Sequence, residues 1–305
     1  MTRALSGRNI TLQHGDYAAS IASIGATLRE LTFAGRNLVV PFAESEMRPA
    51  YRGATLVPWP NRVVDGRYVW EGTEQQLPLT EPGRGHALHG LGAWLEYGIL
   101  EQSEAAVTLG TAMVAQDGYP FTLDIAVTFR LDDEGLHSSV TATNRGTSAA
   151  PFGTGPHPYL VAGAGRVDEW KATVPAASVL TVTDDRLIPT GLEPVEGTQF
   201  DFREQRVIGD TFIDHAFTGL ARDADGIAEV TVRTNDGTGV VMSWDAACPW
   251  VQVHTADRDD APEISRIGLA VEPMTCPPDA FNSGTDLITL DPDAQATASW
   301  SIRAL

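Results

Sequence analysis

Apolar and polar residues alternate along much of this chain with the two-residue period of a half-buried strand. Over residues 121–131, Phe121, Leu123, Ile125, Val127, Phe129 and Leu131 alternate with Thr122, Asp124, Ala126, Thr128 and Arg130. That pattern predicts one buried and one wet face. The run meets Asp132-Asp133-Glu134-Gly135, a turn signal, and then a second β-rich run over residues 136–143, so a hairpin is expected. The same grammar recurs at Asp65-Gly66, between Arg62-Val63-Val64 and Arg67-Tyr68-Val69-Trp70, and at Asn235-Asp236-Gly237, between residues 228–234 and 240–244; Asp117-Gly118 precedes the long strand. Many short strands joined by Gly/Asp turns predict an all-β protein, an antiparallel sandwich or barrel. No apolar stripe at i, i+3, i+4, i+7 marks an amphipathic helix of more than about three turns. Short helical turns are expected near residues 43–47 and 202–206. No linker, charge block or fixed-period repeat interrupts the pattern, so a single domain spanning residues 1–305 is expected.

Composition agrees with a folded, loop-rich protein: 43% of residues are hydrophobic, 20% are charged, and 29 Gly and 19 Pro are scattered throughout. Lys and Arg number 21 against 40 Asp and Glu, a formal charge of −19. Such a surface repels nucleic acid and anionic lipid, so neither is an expected partner. Residues 1–16 lack the apolar centre of a signal peptide and no apolar run approaches a membrane span, which reads as a cytoplasmic protein. Cys248 and Cys276 are the only cysteines and form no Cys-x-x-Cys pair; reduced, structural thiols are expected.

Five stretches place polar residues inside Gly/Pro-rich surroundings. In Gly153-Thr154-Gly155-Pro156-His157-Pro158-Tyr159-Leu160, Pro158 pushes His157 into the extended region, and Gly153 and Gly155 let the preceding chain turn tightly. His157 is either a hydrogen-bonding loop residue or a proton donor and acceptor. Val57-Pro58-Trp59-Pro60-Asn61-Arg62-Val63 holds Arg62 on a rigid loop, either at the surface or as a fork for hydroxyls or a carboxylate. His86 and His89 are separated by three positions, a spacing that on a strand or loop points them to opposite sides and argues against a metal pair. Asp214, framed by apolar neighbours, is either a turn cap or a buried carboxylate that needs partners. Glu272, followed by Pro273 and a proline-dense loop, is expected at the mouth of a strand, half out of water, where desolvation would make it a usable base.

Taken together, Asn61-Arg62, Leu88-His89-Gly90, His157-Pro158-Tyr159, Asp214, and Glu272 followed by Pro278-Asp279-Ala280-Phe281-Asn282 resemble the aldose 1-epimerase (galactose mutarotase-like) family over nearly the whole chain. The resemblance implies that family's large antiparallel β-sandwich. It also implies Glu272 as general base at the C1 hydroxyl, His157 as general acid at the ring oxygen, and Arg62, His89, Asp214 and Asn61 as groups that grip the sugar, with Trp59 or Phe281 offering an apolar face. No metal or organic cofactor is implied, and the partner is a small-molecule sugar bound by a monomer or homodimer. This chain departs from the family in having His86 ahead of Leu-His-Gly and Leu160-Val161-Ala162 after His-Pro-Tyr. Leu91-Gly92-Ala93 follows His89-Gly90 where hexose-6-phosphate epimerases carry a phosphate-gripping Arg, so an unphosphorylated aldose is expected. A non-catalytic sugar-binding protein on the same scaffold is the alternative, and a hydrolase or lyase using Asp214 and Glu272 as paired carboxylates is a third.

Overall fold

The computed structural model describes residues 4–305; Met1 to Arg3, the start of the N-terminal stretch read above, lie outside the described residues. Two antiparallel sheets dominate, one of nine strands and one of six. The predicted hairpin is the centre of the larger sheet: Leu123–Asp132 pairs with Gly135–Asn144, closed between Asp132 and Gly135, and the latter strand pairs with the C-terminal Gln295–Ala304. Burial follows the alternation, with Leu123, Ile125, Val127, Phe129 and Leu131 inside and Asp124 and Arg130 exposed. Ala228–Arg233 and Gly239–Trp244 form the second expected hairpin.

Pairing departs from the sequence expectation at Asp65-Gly66. Arg62–Val64 pairs with His86–Leu88, and Arg67–Trp70 pairs with Thr73–Gln76, so this turn hands the chain from one small ribbon to another. The expected helical turns also shift. The first is displaced to a 3-10 turn at Pro49–Tyr51, where Pro49 pre-sets φ; the second gives way to the Arg206–Val207 edge strand, paired with Lys171–Thr173. Among the described residues the one α-helix is Ala280–Ser283, and no helix is long and apolar enough to cross a membrane.

The six-stranded sheet runs in the order Tyr159–Leu160, Leu269–Met274, Trp250–His254, Asp214–Leu220, Ala176–Val182, Pro189–Pro194. One face carries Leu269, Val271, Val251, Val253 and Phe217, which join Ile125, Val127 and Phe129 of the large sheet in one continuous core. The sheets therefore form a sandwich. The opposite face is set by period two and by register. One row across the strands is Tyr159, Ala270, His254 and Asp214, and the next is Glu272, Gln252 and Ala216. This second face is not wet: it forms the floor of a polar cavity roofed by loops.

Candidate active site

The cavity has a volume of about 440 Å3, and all six residues implied by the resemblance line it: Asn61, Arg62, His89, His157, Asp214 and Glu272. Glu272 and Asp214 rise from the sheet. His157 lies between two short strands, its N–H donating to Ala54 O (3.0 Å) and its carbonyl accepting from Gly53 N–H (2.7 Å). Both backbone groups being used, the ring is aimed by main-chain pairing as well as by Pro158. Gly153 and Gly155 are not turn residues as expected, since neither has positive φ. They permit close approach instead: a Cβ on Gly153 would sit 2.5 Å from Cys276 Sγ, and one on Gly155 would sit 2.5 Å from Pro273 O.

Glu272 also differs from expectation. It lies inside the Leu269–Met274 strand and is only 2% exposed, rather than half out of water at a strand mouth. The strand tolerates Pro273 because its outer side meets an irregular partner. Val271 N–H donates to Pro158 O and Thr275 N–H to Thr154 O, and Pro273 stands between them without a donor to offer.

His157 Nε2 lies 3.4 Å from Glu272 Oε1. The other ends of both groups, His157 Nδ1 and Glu272 Oε2, are buried without a hydrogen-bond partner, as is Oε1 of the neighbouring Gln252. Arg52 Nε and Arg84 Nε, on two further lining residues, are unpartnered as well; buried polar atoms are almost always satisfied, so such a concentration in one cavity marks where a polar ligand would be held. Burial, with the nearby Asp214 charge adding to it and Arg62 opposing, holds the Glu272 carboxyl well above the usual carboxylate range. Burial, helped by His254, pushes the His157 imidazole down to about 3. Between these limits the pair holds one proton.

The remaining groups are fixed by hydrogen bonds. Asn61 N–H donates to His89 Nδ1 (3.2 Å), which leaves the His89 proton on Nε2 as a donor. Asn61 and His89 both take positive φ, 55° and 61°, and Gly90 packs so closely that a Cβ there would lie 2.0 Å from Val57 O. Burial, with His157 and Arg62 beside it, holds His89 well below the ordinary histidine value, hence neutral. Gln252 Nε2 donates to Asp214 Oδ1 (2.6 Å), and Arg62 NH2 lies 3.8 Å from Asp214 Oδ2. Burial would raise the Asp214 carboxyl, but His254, Arg62 and the Gln252 amide hold it below its ordinary value as an anion.

His89, His157 and Glu272 offer ligand atoms within 4.8 Å of one another, a set that a divalent ion could draw on. The tautomer argues otherwise. With Nδ1 accepting from Asn61, His89 Nε2 carries hydrogen and has no lone pair for a metal, so two ligands remain. His86 points away, accepting from Asp65 N–H at Nδ1 and meeting Arg186 O at Nε2, which agrees with the expected divergence of the two histidines.

Sequence reasoning misplaced the apolar wall. Trp59 and Phe281 are core residues, 2% and 4% exposed and 5.4 Å apart, while Tyr51, Tyr159, Leu88, Phe212 and Ile264 line the cavity. It also missed Gln252, His254 and Glu81. For the first two a signal exists, since Gln252 and His254 are polar residues alternating with Val251 and Val253 in a buried strand. Glu81 sits in a turn with no such pattern.

Residues 8–303 match the profile of the family described as aldose 1-epimerase. Among relatives, the "uncharacterized protein YihR" of Escherichia coli strain K12 is 40% identical over 287 residues, 94% of this chain and 90% of that protein. Galactose mutarotase of Mus musculus is 30% identical over 227 residues, 68% of this chain and 64% of the mouse protein. The solved structure of the GalM/aldose epimerase homologue from C. elegans superimposes with a TM-score of 0.86 at 21% identity, covering 98% of both chains. Galactose 1-epimerase from Lactobacillus acidophilus NCFM gives 0.82 at 21% identity, covering 97% of this chain and 94% of its own. At those identities the two structures speak for the fold.

Proposed function

This chain belongs to the aldose 1-epimerase family, and from that membership we propose that it interconverts the α and β anomers of a free, unphosphorylated aldose. The observation that carries the reading is the buried Glu272–His157 pair, 3.4 Å apart, with both outer atoms unpartnered in one cavity. Mutarotation needs one proton removed from the C1 hydroxyl and one added to the ring oxygen, with the roles reversed on closure from the other face. A pair holding one proton has the right inventory. At rest that proton lies on Glu272; once it passes to His157 across their 3.4 Å contact, Glu272 takes the C1 hydroxyl proton as the C1–O5 bond breaks and the C1=O bond forms, and His157 gives its proton to O5. After rotation about C1–C2 the O5 hydroxyl attacks the other face of C1, and both protons return.

The other groups have supporting parts. Arg62 supplies positive charge where O5 gains electron density, His89 Nε2–H donates to a sugar oxygen, and the Asp214 carboxylate accepts from hydroxyls, while Asn61 holds His89 in its tautomer. Tyr51 and Tyr159 give the sugar's C–H face an apolar wall.

The test is anomer exchange followed by NMR after dissolving α-glucose, α-galactose and, separately, glucose 6-phosphate. The wild type should accelerate exchange of a free aldose, and Glu272→Gln and His157→Asn should each lose at least about 100-fold. Binding of free aldoses without acceleration would leave a sugar-binding protein, and preference for the phosphorylated sugar would refute the substrate class.

A further inference from the structure

Arg62 is held from behind by a residue that no part of the mechanism above uses. Glu81 Oε2 accepts from Arg62 Nε at 2.8 Å and Glu81 Oε1 from Arg62 NH2 at 3.1 Å, a two-bond clamp on one edge of the guanidinium. The side chains are 9% and 15% exposed, so the pair is largely withdrawn from solvent screening. The NH1 end is left with only a 3.4 Å contact to Asn61 Oδ1, and NH2 stands 3.8 Å from Asp214. The clamp thus fixes which edge of the guanidinium faces the cavity.

The backbone explains why Glu81 can do this. The Glu81-Pro82-Gly83-Arg84-Gly85 turn is closed by Gly85 N–H to Glu81 O (2.8 Å) and by Glu81 N–H to His86 O (3.0 Å). His86 begins the strand that pairs with Arg62–Val64, so the turn returns Glu81 to the residue at the end of the partner strand. Arg84 of the same turn donates to Glu81 Oε1 at 2.8 Å and braces it from the cavity mouth.

We infer that Glu81 is a positioning residue for anomer exchange: it orients Arg62 toward the ring oxygen and tempers the charge that Arg62 projects onto Glu272 and His157. This rests on the proposed mutarotation. The charged and titratable groups that share this cavity with the clamp are Arg84 on its own turn, Tyr159, Asp214, His254 and Glu272 on the sheet, and Tyr51, Arg52, His89, His157, Asp257 and Arg258 on the loops. Glu81→Gln removes one negative charge and one good acceptor and leaves these in place. The Arg62 field then acts less opposed, which favours the deprotonated form of every nearby group and moves both limbs of the pH–rate profile to lower pH.

The experiment compares wild type, Glu81→Gln, Glu81→Asp, Arg62→Lys and the Glu81→Gln/Arg62→Lys double variant by anomer-exchange kinetics across pH, with thermal melting as the folding check. The expected result for Glu81→Gln is a loss of about tenfold to a hundredfold in kcat with KM little changed and both limbs shifted down. Glu81→Asp, which keeps the charge but shortens the reach, should lose kcat with its limbs unmoved, and it carries the test if Glu81→Gln does not fold. The double variant should be no slower than Arg62→Lys alone. Wild-type kcat in both folded Glu81 variants, or additive losses in the double variant, overturns the inference. If the wild type itself exchanges no anomers, the mutarotase reading fails, and the clamp is read separately through the Arg62 Nε–H resonance, assigned by its absence in Arg62→Lys. That signal should shift and exchange faster with solvent in Glu81→Gln; an unchanged signal overturns the role of Glu81.

Discussion

Burying Glu272 and His157 together pulls their proton affinities in opposite directions, and each direction carries a stability cost at a different pH. Glu272 has its folded value raised, so its neutral form is retained in the fold. Stability from this group is present below the unfolded carboxyl value and lost as pH rises through the folded one. Glu272→Gln, a neutral isostere, should therefore raise Tm near about pH 8 and give a gain that shrinks toward about pH 4. His157 has its folded value lowered to about 3. Its contribution is present above the ordinary histidine value of about 6.5 and lost as pH falls toward the folded value. His157→Asn should accordingly flatten the acid side of the Tm–pH curve, checked by the same melting series. In the proposed anomer exchange the pair counts as one unit, so the acid limb of the pH–rate profile should lie well below the ordinary histidine value and the alkaline limb above the usual carboxylate range.

At the scale of elements, one alternating pattern does two jobs. In Trp250–His254 and Leu269–Met274, the odd positions 251, 253, 269 and 271 build the core, and the even positions 252, 254 and 272 build the site. Strands buried on both faces can hold polar groups only where a cavity meets one of those faces. The loops opposite are fixed by backbone conformations, and Gly90 is the sharpest case, with φ of 73° and Val57 O where a Cβ would go. Gly90→Ala should displace His89, lower kcat/KM at least about tenfold and destabilise the fold, read by kinetics and melting together. In the central hairpin, Leu123→Ala at a fully buried position should cost about 2–5 kcal/mol in denaturant unfolding, whereas Thr128→Ala on the other face, which loses a 3.0 Å hydroxyl contact to its cross-strand partner Thr108, should cost only about 1 kcal/mol.

Over the whole molecule, the formal charge of −19 acts as self-repulsion rather than as recognition. The neutral sugar of the proposed reaction is not steered by it, so kcat/KM for a free aldose should change little between low salt and about 1 M NaCl, while Tm rises as the repulsion is screened. The sandwich keeps this charge outside. The cavity groups are paired internally, Arg62 and Arg84 with Glu81, Asp214 with Gln252 and Arg62, and Glu272 with His157.

The alternation of residues 121–131, the Asp-Gly turns and the absence of a helical stripe determined an antiparallel all-β protein, a sandwich or a barrel, because which face of a strand is buried is a local property of period two; the packing of two sheets into a sandwich came with the tertiary structure. The unusual backbone around Asn61, His89 and His157 was likewise signalled locally, by Gly and Pro. What sequence could not decide was pairing. Nothing in Asp65-Gly66 says that Arg62–Val64 will seek His86–Leu88 across an intervening ribbon, since that choice depends on contacts distant in the chain. Nor could it place Glu272 in mid-strand, send Trp59 and Phe281 to the core, or bring Glu81 behind Arg62. Depth of burial and the identity of an ion-pair partner are set by what the other sheet and the loops cover, and those arrive only with the tertiary structure.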